Sequence, residues 1–211
     1  MIRLESWLAF GAASAVLLII PGPTILTVIS YSVTQGRRAA MPLVAAVALG
    51  DSTALTVSLL GLGRVLAASA VAFTTIKTLG GAYLLWLGAR MIRAGLRTRT
   101  MASAPMSPPI PRHRLFLNTY AVTATNPKGI IFYMAFLPQF LDTTSPGTAQ
   151  MVVLAATFVT LAIINATFYV TFAGGAARLL RSENAGRAFN LGGGSLLSAA
   201  GVWTAVARRS I

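Results

Sequence analysis

The chain alternates between long apolar runs and short polar connections. Six runs are long enough to cross a bilayer as helices, because about 20 residues span the hydrocarbon core. The runs cover Trp7–Tyr31, Met41–Leu62, Val65–Ala89, Leu115–Leu141, Ala149–Ala173 and Phe189–Val206. We therefore predict an all-α integral membrane protein with six transmembrane helices, forming a single transmembrane domain over residues 1–211.

The composition supports a membrane protein and narrows its chemistry. Hydrophobic residues make up 55% of the chain and charged residues only 10%, whereas soluble domains are about 25% charged. The sequence has no cysteine and one histidine, which excludes disulfides and argues against a metal site. Because no nucleophile–base pair or ligand cluster is evident either, we predict no cofactor and no enzymatic activity.

The excess of positive charge is better explained by topology than by nucleic acid. The net charge is +13, from 17 Lys and Arg against 4 Asp and Glu. The arginines lie mostly in short loops, where positive charge marks the cytoplasmic side. With the N-terminus outside, eleven arginines face inward and four face outward. This count predicts both termini outside, with the lipid bilayer rather than nucleic acid as the partner.

Proline interrupts two of the six runs. The first run contains Pro21-Gly22-Pro23 and the fourth contains Asn126-Pro127-Lys128. Proline lacks an N–H and clashes with the preceding helical turn, so both helices should break there. The first run continues past its prolines for a full span, which favours a retained helix over a cleaved signal peptide. In lipid the freed backbone groups need partners, so each break predicts a cavity wall; a simple proline kink is the alternative.

The two halves of the chain resemble each other. The segment 79–85 (LGGAYLL) matches 191–197 (LGGGSLL), and Pro21 has a counterpart in Pro127. Three spans per half require the second half to be inverted, which is typical of secondary transporters. We predict a 3+3 inverted repeat, with repeat one at 1–100, repeat two at 112–211 and a Pro/Arg-rich connector at about 90–114. Glycine-rich packing faces could also look alike by chance; such a face at Gly192-Gly193-Gly194 could support a homodimer.

The two breaks suggest a site for a small anion. A new half-helix beginning after Gly22 or Asn126 would present free N–H groups and a positive dipole end near the bilayer centre. Lys128 adds a full positive charge, and a carboxylate is a natural ligand for these features. The candidate substrate-binding residues are Pro21, Gly22, Pro23, Thr24, Asp51, Asn126, Pro127 and Lys128.

Asp51 is the acidic residue placed nearest the middle of a predicted span. A charge there is costly and usually marks an ion or substrate path, so Asp51 could hold a substrate ammonium or cycle a proton. The alternative is a static ion pair with a lysine. Lys77 lies in the pocket or snorkels to the surface. Asn165 is a further candidate, and a helix-packing hydrogen bond is its other interpretation.

Several of these segments together resemble the LysE/RhtB family of bacterial amino-acid exporters. The resemblance covers most of the chain. It depends on the order and spacing of six segments: Pro21-Gly22-Pro23, 35–40 (QGRRAA), Gly50-Asp51, 77–88 (KTLGGAYLLWLG), Asn126-Pro127-Lys128 and 136–140 (FLPQF). Spans five and six match little beyond the internal repeat. The resemblance implies an inner-membrane exporter of amino acids driven by the proton gradient.

Overall fold

The computed structural model describes residues 2–68, 70–96, 110–141, 147–181 and 183–206, and these residues are almost entirely helical, with no strand among them. The α-helices are α1 Leu4–Ile19, α2 Pro23–Gln35, α3 Arg37–Ala40, α4 Pro42–Ala68, α5 Ala70–Leu96, α6 Arg112–Ala124, α7 Pro127–Ile131, α8 Gly147–Thr171, α9 Ala173–Arg181 and α10 Glu183–Val206. A π-helical turn, Phe132–Phe136, and a 3-10 turn, Leu137–Phe140, follow α7.

Apolar side chains cover the outside of the helices as well as the core. Residues such as Val57 on α4, Val71 on α5, Val152 on α8 and Val202 on α10 are exposed. The described side chains that are both charged and buried are Asp51 and Lys128. An apolar exterior around buried charges fits a protein whose surface contacts lipid, since a soluble protein would place its charges outside.

Two segments within the described part of the chain are long and apolar enough to cross a membrane by themselves. They are Arg37–Gly61 and Gly147–Thr171, and the bent pair α1–α2 would count as a third if it forms one span. These are at most three membrane-spanning segments among the described residues. The arrangement of six spans in a 3+3 repeat therefore stays a prediction.

Several predicted boundaries shift. We placed a loop between Leu62 and Val65, but α4 continues to Ala68 and α5 begins at Ala70. The reason is that an isolated glycine costs a helix only about 1 kcal/mol, so the glycines near this point do not end it. Likewise α5 continues to Leu96, into the predicted connector, and residues 97–109 of that connector lie outside the described residues. The short helices α3 and α9 were not predicted.

Helix boundaries fall at both proline motifs. The α1 helix ends at Ile19 and α2 begins at Pro23, with a 51° bend between them. The α6 helix ends at Ala124 and α7 begins at Pro127. In each case proline occupies the first helical position, where a missing N–H costs nothing.

Glycines bring α5 and α10 into backbone contact. A Cβ added to Gly88 would lie 2.6 Å from the Gly194 carbonyl oxygen, and one added to Gly201 would lie 2.7 Å from that of Gly81. Because 81 pairs with 201 and 88 with 194, the two helices run in opposite directions. Gly193 and Gly194 therefore pack within the chain, whereas nothing lies within 4 Å of a Cβ added to Gly192; the homodimer stays a prediction.

This packing predicts a specific destabilisation by Gly88→Ala. The added methyl would lie 2.3 Å from the Ser198 hydroxyl oxygen and 2.8 Å from its backbone nitrogen, and such overpacking typically costs about 1–3 kcal/mol. We expect a lower melting temperature for the detergent-purified variant. Gly192→Ala is the matched control on α10, because nothing lies within 4 Å of its added Cβ. An equal change in melting temperature for both substitutions would contradict the close contact between α5 and α10 at Gly88.

Candidate functional site

The carboxyl end of α1 leaves a set of backbone carbonyls without helical partners. The Ile20 N–H still donates to the Val16 carbonyl, at 3.3 Å. The next donor would belong to Pro21, which has no N–H, and Pro23 is missing another. Helix α2 begins its own ladder only with Leu26 N–H donating to the Gly22 carbonyl, at 3.0 Å. The carbonyls of residues 17–20 therefore need other donors, because an unpaired buried carbonyl is costly.

Three side chains from later in the chain supply those donors. Lys128 Nζ donates to the carbonyls of Leu17 and Ile20, both at 2.6 Å. From α8, Asn165 Nδ2 donates to the Leu18 carbonyl at 3.0 Å. One turn further along α8, the Tyr169 hydroxyl donates to the Ile19 carbonyl at 2.9 Å. All four carbonyls are thus satisfied; we call Lys128, Asn165 and Tyr169 the carbonyl cap.

Lys128 is directed to its place by the local structure at the second break. The Asn126 side chain caps α7 by accepting from the Lys128 backbone N–H at 3.1 Å. Its Nδ2 donates to Thr24 Oγ1 at 3.1 Å, which ties the start of α7 to the start of α2. Gly22 leaves room for the lysine stem, since a Cβ there would lie 3.3 Å from Lys128 Cδ. The two breaks are therefore in direct contact.

Asp51 lies on α4 beside this contact. Gly50 brings α4 against α6, because an added Cβ would lie 2.6 Å from Thr123 Cβ. The Asp51 carboxylate, 7% exposed, accepts a hydrogen bond from the buried Tyr133 hydroxyl at 2.8 Å. Within the described residues, no ion pair within 4 Å joins Asp51 to Lys128. The negative and positive groups are therefore each held by neutral partners rather than by each other.

A small cavity of about 40 Å³ lies between these groups. Gly22, Thr24 and Ile25 at the start of α2 line it, together with Asp51 and residues from α1, α7 and α8. A cavity of this size has room for water, because one water needs only about 10–15 Å³ by the same measure. It is far below the roughly 300 Å³ at which ligand pockets begin. In this conformation the free space beside these polar groups is smaller than an amino acid.

The structure brings most of the predicted site residues together. Six of them line the small cavity: Gly22, Thr24, Asp51, Asn126, Lys128 and Asn165. Pro21, Pro23 and Pro127 do not line it, but they set the helix ends around it. For Lys77, the backbone lies in α5 while the side chain is outside the described residues, so its two interpretations stay open.

Two tyrosines were missed. Tyr133 is the hydrogen-bond partner of Asp51, and Tyr169 is the third member of the carbonyl cap. The available signal for Tyr169 was its spacing of four from Asn165, which places both on one face of a helix. Tyr133 gave no comparable signal, because an aromatic residue in an apolar run is usually packing.

A second cavity of about 240 Å³ lies between α1, α5, α10 and the π-helical turn. Only apolar residues line it, including Val16, Leu84, Phe136 and Leu197. Leu17 borders both cavities. The small polar cavity and the larger apolar cavity therefore lie next to each other along α1.

Buried Asp51 and Lys128 side chains lie where the helix ends at the two proline motifs meet, inside an apolar exterior, an arrangement typical of membrane transport proteins. Comparison with known proteins gives the family: the LysE type translocator model matches residues 15–207, and the chain belongs to that family. Its members are transporters and not enzymes. No solved structure matches the chain.

Three relatives illustrate the range of the family. A homoserine/homoserine lactone efflux protein of Salmonella typhi is 32% identical over 208 residues, covering 98% of both chains. An uncharacterized membrane protein of Vibrio cholerae is 32% identical over 203 residues, 96% of this chain and 97% of its own. A leucine efflux protein of Salmonella choleraesuis is 31% identical over 149 residues, 71% of this chain and 68% of its own.

The carbonyl cap predicts a stability effect for Tyr169→Phe. The substitution removes one hydroxyl and leaves the Ile19 carbonyl unpaired, which typically costs about 1–3 kcal/mol. We expect a lower melting temperature in detergent. Tyr83→Phe is the control, because the Tyr83 hydroxyl has no hydrogen-bond partner among the described residues and the ring contacts Trp86 in either case. A loss no larger than that of Tyr83→Phe would contradict the role given to Tyr169.

Proposed function

We propose that this protein exports amino acids across the bacterial inner membrane by proton antiport. The observation that carries the proposal is the pair of opposite buried charges, Asp51 and Lys128, lining one small cavity at the contact between two broken helices. A relative matched over nearly the whole chain is named as an efflux protein for homoserine and homoserine lactone, and one matched over about two thirds of it as a leucine efflux protein. Homoserine and leucine share an α-carboxylate and an α-ammonium, so a site with both charges suits these two amino acids, whereas the lactone keeps only the ammonium.

The substrate carboxylate binds at the start of α2. The backbone N–H groups of Thr24 and Ile25 precede the first intrahelical donor of α2, Leu26, and both residues line the cavity. Free amides and the positive end of the helix dipole favour an anion there. Lys128, next to Gly22, adds the positive charge, and Asn126 with Pro127 sets the orientation of that lysine.

Asp51 serves the substrate ammonium or the exchanging proton. A carboxylate in the interior of a transporter is a common proton carrier. Its partner Tyr133 donates to Oδ1 at 2.8 Å, which holds the Asp51 side chain at the wall of the cavity. A proton taken from outside and released inside would exchange for an amino acid moving outward.

Transport proceeds by alternating access in a six-span, 3+3 inverted repeat with both termini outside. The helix directions are compatible with this topology: α5 and α10 are antiparallel, while α1 and α8 run the same way, with Trp7 Nε1 on Thr157 and Asn165 on the Leu18 carbonyl. The cavity of about 40 Å³ is too small for an amino acid, so substrate binding requires the helix ends around it to separate.

The role of Asp51 predicts a loss of coupling in Asp51→Asn. Proteoliposomes loaded with labelled leucine or homoserine are placed in a more acidic medium, so that protons flow inward as substrate leaves. We expect the wild type to release substrate faster with the proton gradient than without it. For Asp51→Asn, the proton gradient should speed substrate release no more than it does in loaded liposomes that contain no protein, because an amide cannot carry the proton.

Glu5→Gln is the control, since it removes an acid of similar chemistry that lies exposed at the start of α1. Gradient-driven efflux retained by Asp51→Asn would overturn the role of Asp51. The alternative is that the protein exports another small solute or ion, and a panel of such solutes and ions in the same liposomes tests it. Wild-type flux of such a solute, with none of any amino acid, would overturn the proposed substrate class.

A further inference from the structure

The Lys128 ammonium is bound by backbone carbonyls and not by a carboxylate. Its Nζ lies 2.6 Å from the Leu17 and Ile20 oxygens, and the side chain is only 8% exposed. A buried cation away from an opposite charge needs strong dipoles around it. The carboxyl end of α1 supplies them, because its last carbonyls point along the negative end of the helix dipole.

The same arrangement suits any primary ammonium. An α-ammonium carries three N–H donors, as the lysine head group does, and half-helix carboxyl ends are known cation sites in transporters. Because Pro21 has no N–H, no helical backbone donor competes with an ammonium for the Leu17 carbonyl. The site also adjoins the free amides at the start of α2, which follow Ile20 by only a few residues. An ammonium and a carboxylate on one carbon could therefore reach both helix ends.

We propose that the Leu17 and Ile20 carbonyls are the binding site for the substrate ammonium, and that Lys128 occupies this site when no substrate is bound. The arriving ammonium displaces the lysine head group, which then pairs with the substrate carboxylate near Gly22. This inference rests on the proposed amino-acid substrate and deepens it: the ammonium goes to the carbonyls, and Asp51 is left for the proton.

The exchange keeps the buried charge constant. With Asp51 and Lys128 both ionised, the cavity wall that they line carries one negative and one positive charge, and an amino-acid zwitterion adds none. One ammonium replaces another on the same two oxygens, so no carbonyl is left unpaired at the end of the step. Asn165 and Tyr169 hold the Leu18 and Ile19 carbonyls throughout, which keeps the end of α1 in shape.

The direct test is rescue of Lys128→Ala by methylammonium. Truncation removes the lysine head group and leaves space beside two unpaired carbonyls, so we expect the purified variant to melt at a lower temperature. Methylammonium chloride should raise that melting temperature more than it does for the wild type. Tetramethylammonium chloride, at equal ionic strength, should not, because it has no N–H. Tyr169→Phe, which frees a carbonyl without opening comparable space, should gain nothing.

Equal responses of Lys128→Ala to the two salts would overturn the inference, and this readout needs no substrate. A second measurement covers a variant that fails to fold. We expect the wild type and Asp51→Asn each to bind leucine at least tenfold more tightly than its 2-hydroxy analogue, which lacks the ammonium. Loss of this preference in Asp51→Asn would place the ammonium on Asp51 instead. Absence of leucine and homoserine binding to the wild type would count against the proposed function, while methylammonium would still decide the ammonium site.

Discussion

The structure depends on satisfying four backbone carbonyls where α1 stops. Proline at positions 21 and 23 removes two of the donors that a continuous helix would supply, and the extended backbone at Ile20 and Gly22 turns the other two away. The cap of Lys128, Asn165 and Tyr169 supplies donors in their place. This single requirement brings together segments more than 100 residues apart, since the capped and capping residues belong to opposite halves of the chain. It also places a buried positive charge at the centre of the protein.

Other contacts hold the helices in place around the capped end of α1. Asn126 links the starts of α2 and α7 through Thr24, and Gly50 lets α4 approach α6 so that Asp51 faces Tyr133. Away from the site, the glycines of α5 and α10 give a pair of helices in backbone contact. This pair packs more closely than side chains on both helices would allow, because the glycines leave the space that a Cβ would fill.

The sequence predicted the parts of this account that depend on local chemistry. The missing N–H groups of Pro21 and Pro23, the capping preference of Asn126 and the cost of a charge at Asp51 are properties of single residues. Sequence could not predict which donor would reach which carbonyl. Lys128 was expected to face a substrate anion, whereas its ammonium lies on the Leu17 and Ile20 oxygens; its role toward a carboxylate stays a proposal. Tyr133 and Tyr169 act through tertiary contacts, and helix lengths such as that of α4 depend on packing that no local signal encodes.

The most direct test of the central claim, that the capped end of α1 is the substrate site, uses the absence of cysteine from the chain. A single cysteine replaces Ala162, which lines the small cavity and is buried, and another replaces the exposed Gly174 as control. Labelling by a small water-soluble thiol reagent is timed with and without leucine or homoserine. The account predicts that substrate changes the labelling rate at position 162 and not at 174. Equal rates at position 162 with and without a transported amino acid would contradict it.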